Sequence, residues 1–235
     1  MSDELRTCGV MLLALMLLAS AGPGALAQTP PTQAEYAAYG GLFAAAVQGR
    51  ASDVEGLLRA GEDIEARDSN GRTPLLVAVY RRDTAVAKAL LDIGANPNAL
   101  DNQSYDAVTI AAVANDIAML KLMLASGGNP RAITSPYSGT ALIAAAHAGN
   151  AEVVDLLLAA RAPVNHVNNL GWTALIEAVV LGDGSARYQR IVAALLAAGA
   201  DTEIADRNGS KPLALARQKG YPEIASLLEA AGAKP

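Results

Sequence analysis

Apolar residues along the chain come in short runs that recur at a fixed interval. One copy, NGRTPLLVAVYRRD at Asn70 to Asp83, reads as a polar turn, a proline and an apolar helix with a Tyr-Arg-Arg end. With Thr73 as the reference slot, equivalent positions hold Gly40, Asp106, Thr140, Thr173 and Lys211, and the six slots are separated by 33, 33, 34, 33 and 38 residues. A period near 33 held over several steps marks a repeat architecture. Two residues past the slot stand Leu42, Leu75, Val108, Leu142, Leu175 and Leu213. Five past it stand Ala45, Ala78, Ala111, Ala145, Ala178 and Ala216, the pattern expected where helices approach too closely for a larger side chain.

The polar residues between the runs predict where each helix starts and stops. Gly71 can take a positive φ in the turn, Thr73 can cap through its hydroxyl, and Pro74 fits the first helical position, where its missing N–H costs nothing. A second helix in each repeat ends at Gly61, Gly94, Gly127, Gly199 or Gly232, residues suited to a left-handed terminus. Helices of about ten residues are marginal alone, so each pair must bury its apolar face on its neighbours. The sixth repeat carries Glu229 where the first five have Leu58, Leu91, Leu124, Leu158 and Leu196, a polar outer face suited to the end of a stack.

The signature TPLLVA at Thr73 to Ala78, with LLDIGANPN at Leu90 to Asn98 downstream, resembles the ankyrin repeat. The resemblance covers roughly Tyr36 to the C-terminus. It implies an all-α solenoid of about six helix-turn-helix repeats, joined by β-hairpin-like fingers, that binds proteins. The repeats fall at about 36–66, 67–99, 100–133, 134–166, 167–204 and 205–235.

Departures from the family pattern carry their own expectations. The column that usually holds His reads Phe43, Leu76, Thr109, Ile143, Ile176 and Ala214, so that side chain's hydrogen bonds in the turn must be absent. Asp106 can still cap its helix, whereas Lys211 cannot, and the last helix is expected to borrow Ser210. Arg161 stands in place of the terminal glycine, a strained choice if the backbone there is left-handed. The third repeat, with SYDAVTIA, is the most diverged.

The N-terminus has a different pattern. Cys8 to Ala19 is an apolar run too short to span a bilayer and suited to a signal-peptide core. Ala25-Leu26-Ala27 follows as a small-x-small cleavage site, so residues 1–27 are expected to be a signal peptide and 28–35 a linker before the repeat domain at 36–235. Asp3 and Glu4 against a lone Arg6 make a poorly basic start, which leaves an uncleaved anchor as the alternative. Cleavage would move the formal charge from -5 to -4 and remove the only cysteine. The signal type and high alanine content point to export, to a bacterial periplasm.

An acidic chain of pI near 5.0 argues against nucleic acid, which needs a basic stripe. His147 and His166 are the only histidines, and no nucleophile, metal or phosphate-loop pattern appears, so neither catalysis nor a cofactor is expected. The glycines of Leu181 to Arg190, LGDGSARYQR, belong to an insertion of about five residues in repeat five that is expected to lengthen the connection between its helices. If functional, Arg187, Tyr188 and Arg190 would make it a small basic lip.

In this family the contact-making columns are the finger tips and the exposed end of the first helix. The chain has one Trp, one Phe and seven Tyr, and Tyr80, Tyr105, Tyr137 and Trp172 fall in those columns. Together with Arg72, Arg81 and His147 they are the expected partner contacts, since aromatics and arginines dominate interface hot spots. Bracing of neighbouring fingers is the competing role. The expected protein is thus a monomeric, exported, non-catalytic module binding a protein partner, off the membrane once the signal is removed. A scaffold or accessory factor stabilising another exported protein is the alternative.

Overall fold

The computed structural model describes residues 28–234, so the expected signal peptide lies outside the described residues. The chain divides into two units, one ending at Pro31 and one starting at Thr32. The described part of the first, residues 28–31, has no regular secondary structure. The second unit opens with a helix, Gln33–Ala38, that begins inside the segment expected as linker. Thr32 fixes its start through a capping box, its hydroxyl accepting from the Glu35 N–H while the Glu35 carboxylate accepts from the Thr32 N–H.

Six helix pairs follow. First helices run Gly41–Gln48, Pro74–Tyr80, Ala107–Val113, Ala141–Ala148, Ala174–Val180 and Pro212–Lys219. Second helices run Val54–Arg59, Thr84–Asp92, Ile117–Ala125, Ala151–Ala159, Ala186–Ala197 and Pro222–Ala230, the first of them entered through a 3-10 turn at Ala51–Asp53. First helices stack on first helices and second on second, which is a solenoid. The finger between repeats closes as a turn, and the bridge between Thr134 and Gly139 is its one strand-like pairing among the described residues.

The six reference slots are the N-cap positions of the six first helices, and four of them cap through a side chain. Thr73, Thr140 and Thr173 accept through their hydroxyls from Leu76, Ile143 and Ile176 N–H, and Asp106 accepts from Thr109 N–H. Gly40 has no such side chain. There the Glu62 carboxylate, from the turn that follows, accepts from Leu42 N–H at 2.9 Å and fills the role. Lys211 starts its helix without a side-chain cap and Ser210 does not supply one; the Ser210 N–H donates to Asp206 Oδ1 at 2.8 Å as part of the finger.

The two apolar columns form the centre of the stack. The leucine and valine column is at most 1% exposed and the alanine column is 0% exposed in all six repeats. Burying a leucine is worth about 1.5–3 kcal/mol, so this column alone ties each repeat to its neighbours. The glycines after the second helices, Gly61, Gly94, Gly127, Gly199 and Gly232, have φ from 87° to 102°, and Arg161 adopts the same left-handed turn at 63°. Glu229 is exposed and pairs with Arg217 at 2.7 Å.

The insertion in repeat five lengthens a helix as well as a connection. Ala186–Ala197 is 12 residues against 9 in repeats two, three, four and six. Tyr188 is buried and its hydroxyl donates to His147 O at 3.1 Å, as Tyr221 one repeat later donates to Gly182 O at 2.8 Å. The expected lip is therefore only partly available: Arg190 is paired with Asp155 at 2.5 Å, and Arg187 lies over the Tyr188 ring, 5.1 Å from its centroid.

Candidate functional site

The fingers and the C-terminal ends of the first helices border one surface, the palm. A short polar side chain five residues before the slot builds the finger in repeats two to six. Asp68 Oδ1 accepts from Asn70 N–H at 2.8 Å and Arg72 N–H at 2.9 Å, and Asp101, Ser135, Asn168 and Asp206 repeat the arrangement. Adjacent fingers are then joined through backbone, Asn102 N–H to Asn70 O, Ser135 N–H to Ser104 O and Asn169 N–H to Tyr137 O, each at 2.9 Å. These bonds hold the finger tips in register, so side chains on them are displayed by a rigid frame.

At the N-terminal end the palm is closed by an ion-pair cluster. Arg72 is 0% exposed, donates from Nε to Asp68 Oδ2 at 2.7 Å, and is paired through a terminal nitrogen with Glu35 of the opening helix. The Tyr39 hydroxyl donates to Asp68 Oδ2 at 2.5 Å. Burial alone would raise the Asp68 carboxyl, but the bonds from Tyr39 and Arg72 hold it below its ordinary value. Burial, and then the bond to Asp68, push the Tyr39 phenol up.

Further along, a buried acid sits under a histidine. Glu177 is 4% exposed, accepts from Asn168 Nδ2 at 3.2 Å and faces His147 Nδ1 at 3.2 Å. It occupies a column otherwise filled by Ala44, Val77, Ile110, Ala144 and Leu215. The hydrogen bond to Glu177 raises the His147 pKa against the opposing effect of burial.

The seven expected contacts separate on this frame. Arg72 and Tyr105 are buried, the first by its carboxylates and the second in the core at 7% exposure, and neither offers its side chain to a partner. Tyr80 and Trp172 are half-buried and pack against the core, and the Tyr80 hydroxyl is enclosed. Tyr137 is half-buried at the tip of its finger. Arg81 and His147 are exposed, Arg81 resting over the Tyr36 ring at 5.3 Å. Bracing thus accounts for Arg72 and Tyr105, because one residue before the slot the chain turns inward to start the helix.

Sequence reasoning missed other residues on the same surface. Among the described residues the exposed large apolar side chains are Leu100, Val113, Ile133, Val167 and Leu181, at 39%, 40%, 59%, 43% and 39%. Leu100, Ile133 and Val167 stand on successive fingers, while Val113 and Leu181 end first helices. The signal was present as an aliphatic residue six before the slot in repeats three and five, displaced by one in repeat four, whose finger is a residue longer.

This frame of capped helix pairs and hydrogen-bonded fingers is matched by the family model for ankyrin repeats (three copies) over residues 42–134 and 110–206. The chain belongs to the ankyrin-repeat family. This ankyrin-repeat protein is 49% identical over 86 residues to the putative ankyrin repeat protein YahD of Escherichia coli K12. That match takes in 36% of this chain and 43% of YahD, so less than half of that relative is represented. An ankyrin repeat domain from Acinetobacter baumannii AYE aligns with TM-score 0.79 and 44% identity, over 82% of this chain and 98% of that one. A chain in the complex of the Bd0816 predatory endopeptidase of Bdellovibrio bacteriovorus with immunity protein Bd3460 aligns with TM-score 0.69 and 25% identity, over 82% of this chain and 98% of that one. Ankyrin repeats are protein-interaction modules. No helix among the described residues is long and apolar enough to cross a membrane.

Proposed function

We propose that this ankyrin-repeat protein is an exported, non-catalytic module that binds a protein partner across the palm in a bacterial periplasm. The observation that carries the reading is the distribution of exposed large apolar residues. All five lie on fingers or at first-helix ends, and the second helices present none. Apolar groups concentrated on one side of a soluble array mark an interaction surface. Tyr137 on a finger and Arg81 and His147 at first-helix ends occupy the same parts of the repeats and supply the aromatic and cationic groups favoured at interfaces.

Export rests on the apolar run at Cys8 to Ala19 and the Ala25-Leu26-Ala27 site, and N-terminal sequencing of the protein from a periplasmic extract tests it by asking whether the chain begins at Gln28. Binding is tested by crosslinked capture from that extract with wild type and with I133E/V167E, both shown to be folded by circular dichroism. A partner held by wild type and lost by the variant supports the palm; an identical catch from both removes it.

A second reading makes the chain an accessory factor that holds or restrains one exported enzyme. It is favoured by the likeness to a chain in a complex of an endopeptidase with an immunity protein. Under it, the captured partner is an enzyme whose activity changes when this chain is added at equal concentration.

A further inference from the structure

Several basic side chains on the second helices pair with carboxylates: Arg59 with Glu55, Lys88 with Asp92 at 2.6 Å and Arg190 with Asp155 at 2.5 Å. On the palm side Arg72 is likewise paired, but four other arginines are held by other means. Arg67 donates to Gly71 O at 2.7 Å and to Leu100 O, Arg82 to Ala114 O at 2.6 Å, and Arg207 to Asn169 O, while Arg81 lies over the Tyr36 ring. Among the described residues none of these four forms an ion pair with a carboxylate. A carbonyl or a ring face fixes a guanidinium in place and leaves its charge and its remaining donors uncompensated.

Most carboxylates named on the same side are already engaged. Asp68 and Glu35 are taken by Arg72, Asp101 and Asp206 accept from their own fingers, and Glu177 is buried under His147. Asp183 is exposed and lies 3.9 Å from Arg187. The chain as a whole is acidic, at -5, while among the described residues these four guanidinium groups have no carboxylate within ion-pair distance. Arg67 reaches the carbonyl of the exposed Leu100, Arg82 the carbonyl of Ala114 next to the exposed Val113, and Arg207 the carbonyl of Asn169, two residues from the exposed Val167.

We propose that the palm selects an acidic protein surface, one in which Asp or Glu side chains flank exposed apolar groups, with Arg67, Arg81, Arg82 and Arg207 as the residues that determine specificity. This rests on the palm being a protein-binding surface. A polyanion such as DNA fits less well, because the cations are separated by aliphatic and aromatic side chains and the rest of the molecule repels it. Complementary charge of this kind steers encounter and rejects wrong partners more than it adds affinity. Association should therefore slow steeply as salt rises, since screening acts within about 10 Å at 0.1 M.

The test uses the protein purified from cells expressing the full chain and a phage-displayed library of random twelve-residue peptides as probe. Three variants accompany wild type: R67Q/R81Q/R207Q, I133S/V167S, and a back-face control, K88Q/R190Q. The expected result is a wild-type-selected pool enriched about twofold or more in Asp and Glu. Its peptides should bind R67Q/R81Q/R207Q at least about tenfold more weakly and K88Q/R190Q as wild type. A pool without acidic enrichment that binds R67Q/R81Q/R207Q unchanged overturns the acidic partner and leaves the palm as a binding surface. Failure to enrich any peptide, or a pool that binds I133S/V167S unchanged, overturns the palm itself and this inference with it. A 20-base-pair DNA duplex bound more tightly than the best peptide, and lost with the three arginines, overturns the acidic protein in favour of nucleic acid.

Discussion

Arg72 Nε lies 2.7 Å from Asp68 Oδ2, and the two side chains are 0% and 6% exposed. With Glu35 on its other side, Arg72 joins the opening helix to the finger of repeat two. Removing one member of a buried pair strands the other charge, so Arg72→Ala is expected to destabilise by about 3–5 kcal/mol in urea unfolding. Arg72→Lys should recover little, because an ammonium cannot reproduce the fork that meets two carboxylates. Amide exchange in Gln33–Ala38 should accelerate in both variants before the rest of the chain opens.

The contact between His147 and Glu177 makes a smaller, pH-dependent contribution. The hydrogen bond to Glu177 raises the His147 pKa above its unfolded value of about 6.5. A raised folded pKa means the stabilisation is fully present below pH of about 6.5 and fades as pH rises through the folded value. The His147 side chain is 61% exposed, so the effect stays below about 1 kcal/mol. The stability difference between wild type and His147→Gln should shrink as pH increases, and Glu177→Gln should lower the His147 midpoint in an NMR titration.

The repeat register and both core columns were legible in the sequence because a stack makes the same packing demand in every copy. Ala145 and Leu142 could be placed without coordinates for that reason. The site was less legible, since side chains one residue before the slot look alike in sequence whichever way they turn. Arg72 is committed inward by Asp68 and Glu35, one of them 37 residues away, and no local pattern announces that partner. The start of the opening helix, Gln33 to Glu35, falls in the expected linker because its capping box precedes too short an apolar run to stand out.

Arg161 holds φ of 63° at a position where the other second helices use glycine. A left-handed backbone strains a residue with a Cβ, and the Arg161 carbonyl, which accepts from Arg131 Nη1 at 3.0 Å, is retained in any substitution. Arg161→Gly is expected to be neutral to stabilising by up to about 1 kcal/mol, whereas glycine elsewhere in a helix costs about that much. Thermal melts of Arg161→Gly and of Ala160→Gly, one residue earlier, should move in opposite directions.

Gly182 tests whether the insertion is a built element. A Cβ there would lie 2.2 Å from Ala178 O and 2.7 Å from the Tyr188 ring. Gly182→Ala is expected to cost about 1–3 kcal/mol by forcing the ring away. The exposed Ser185, whose side chain makes no cap, should accept alanine within about 0.5 kcal/mol. Equal tolerance of both substitutions would make the insertion a loosely packed turn.

Tyr105 and Ile133 separate scaffold from surface within one stretch of fingers. Tyr105 is 7% exposed within the core cluster, so Tyr105→Ala should cost about 3–5 kcal/mol, and any loss of binding would follow from lost structure. Ile133 is 59% exposed, and Ile133→Ser should leave stability within about 0.5 kcal/mol while weakening the partner. Trp172 provides the readout. It is the single tryptophan, half-buried at the base of the finger that follows that of Ile133, and its fluorescence should shift when the palm is covered. A shift that survives Ile133→Ser at unchanged partner affinity would move the binding surface off the fingers. A shift lost in a variant that melts like wild type would leave the exposed aliphatic residues as the contact.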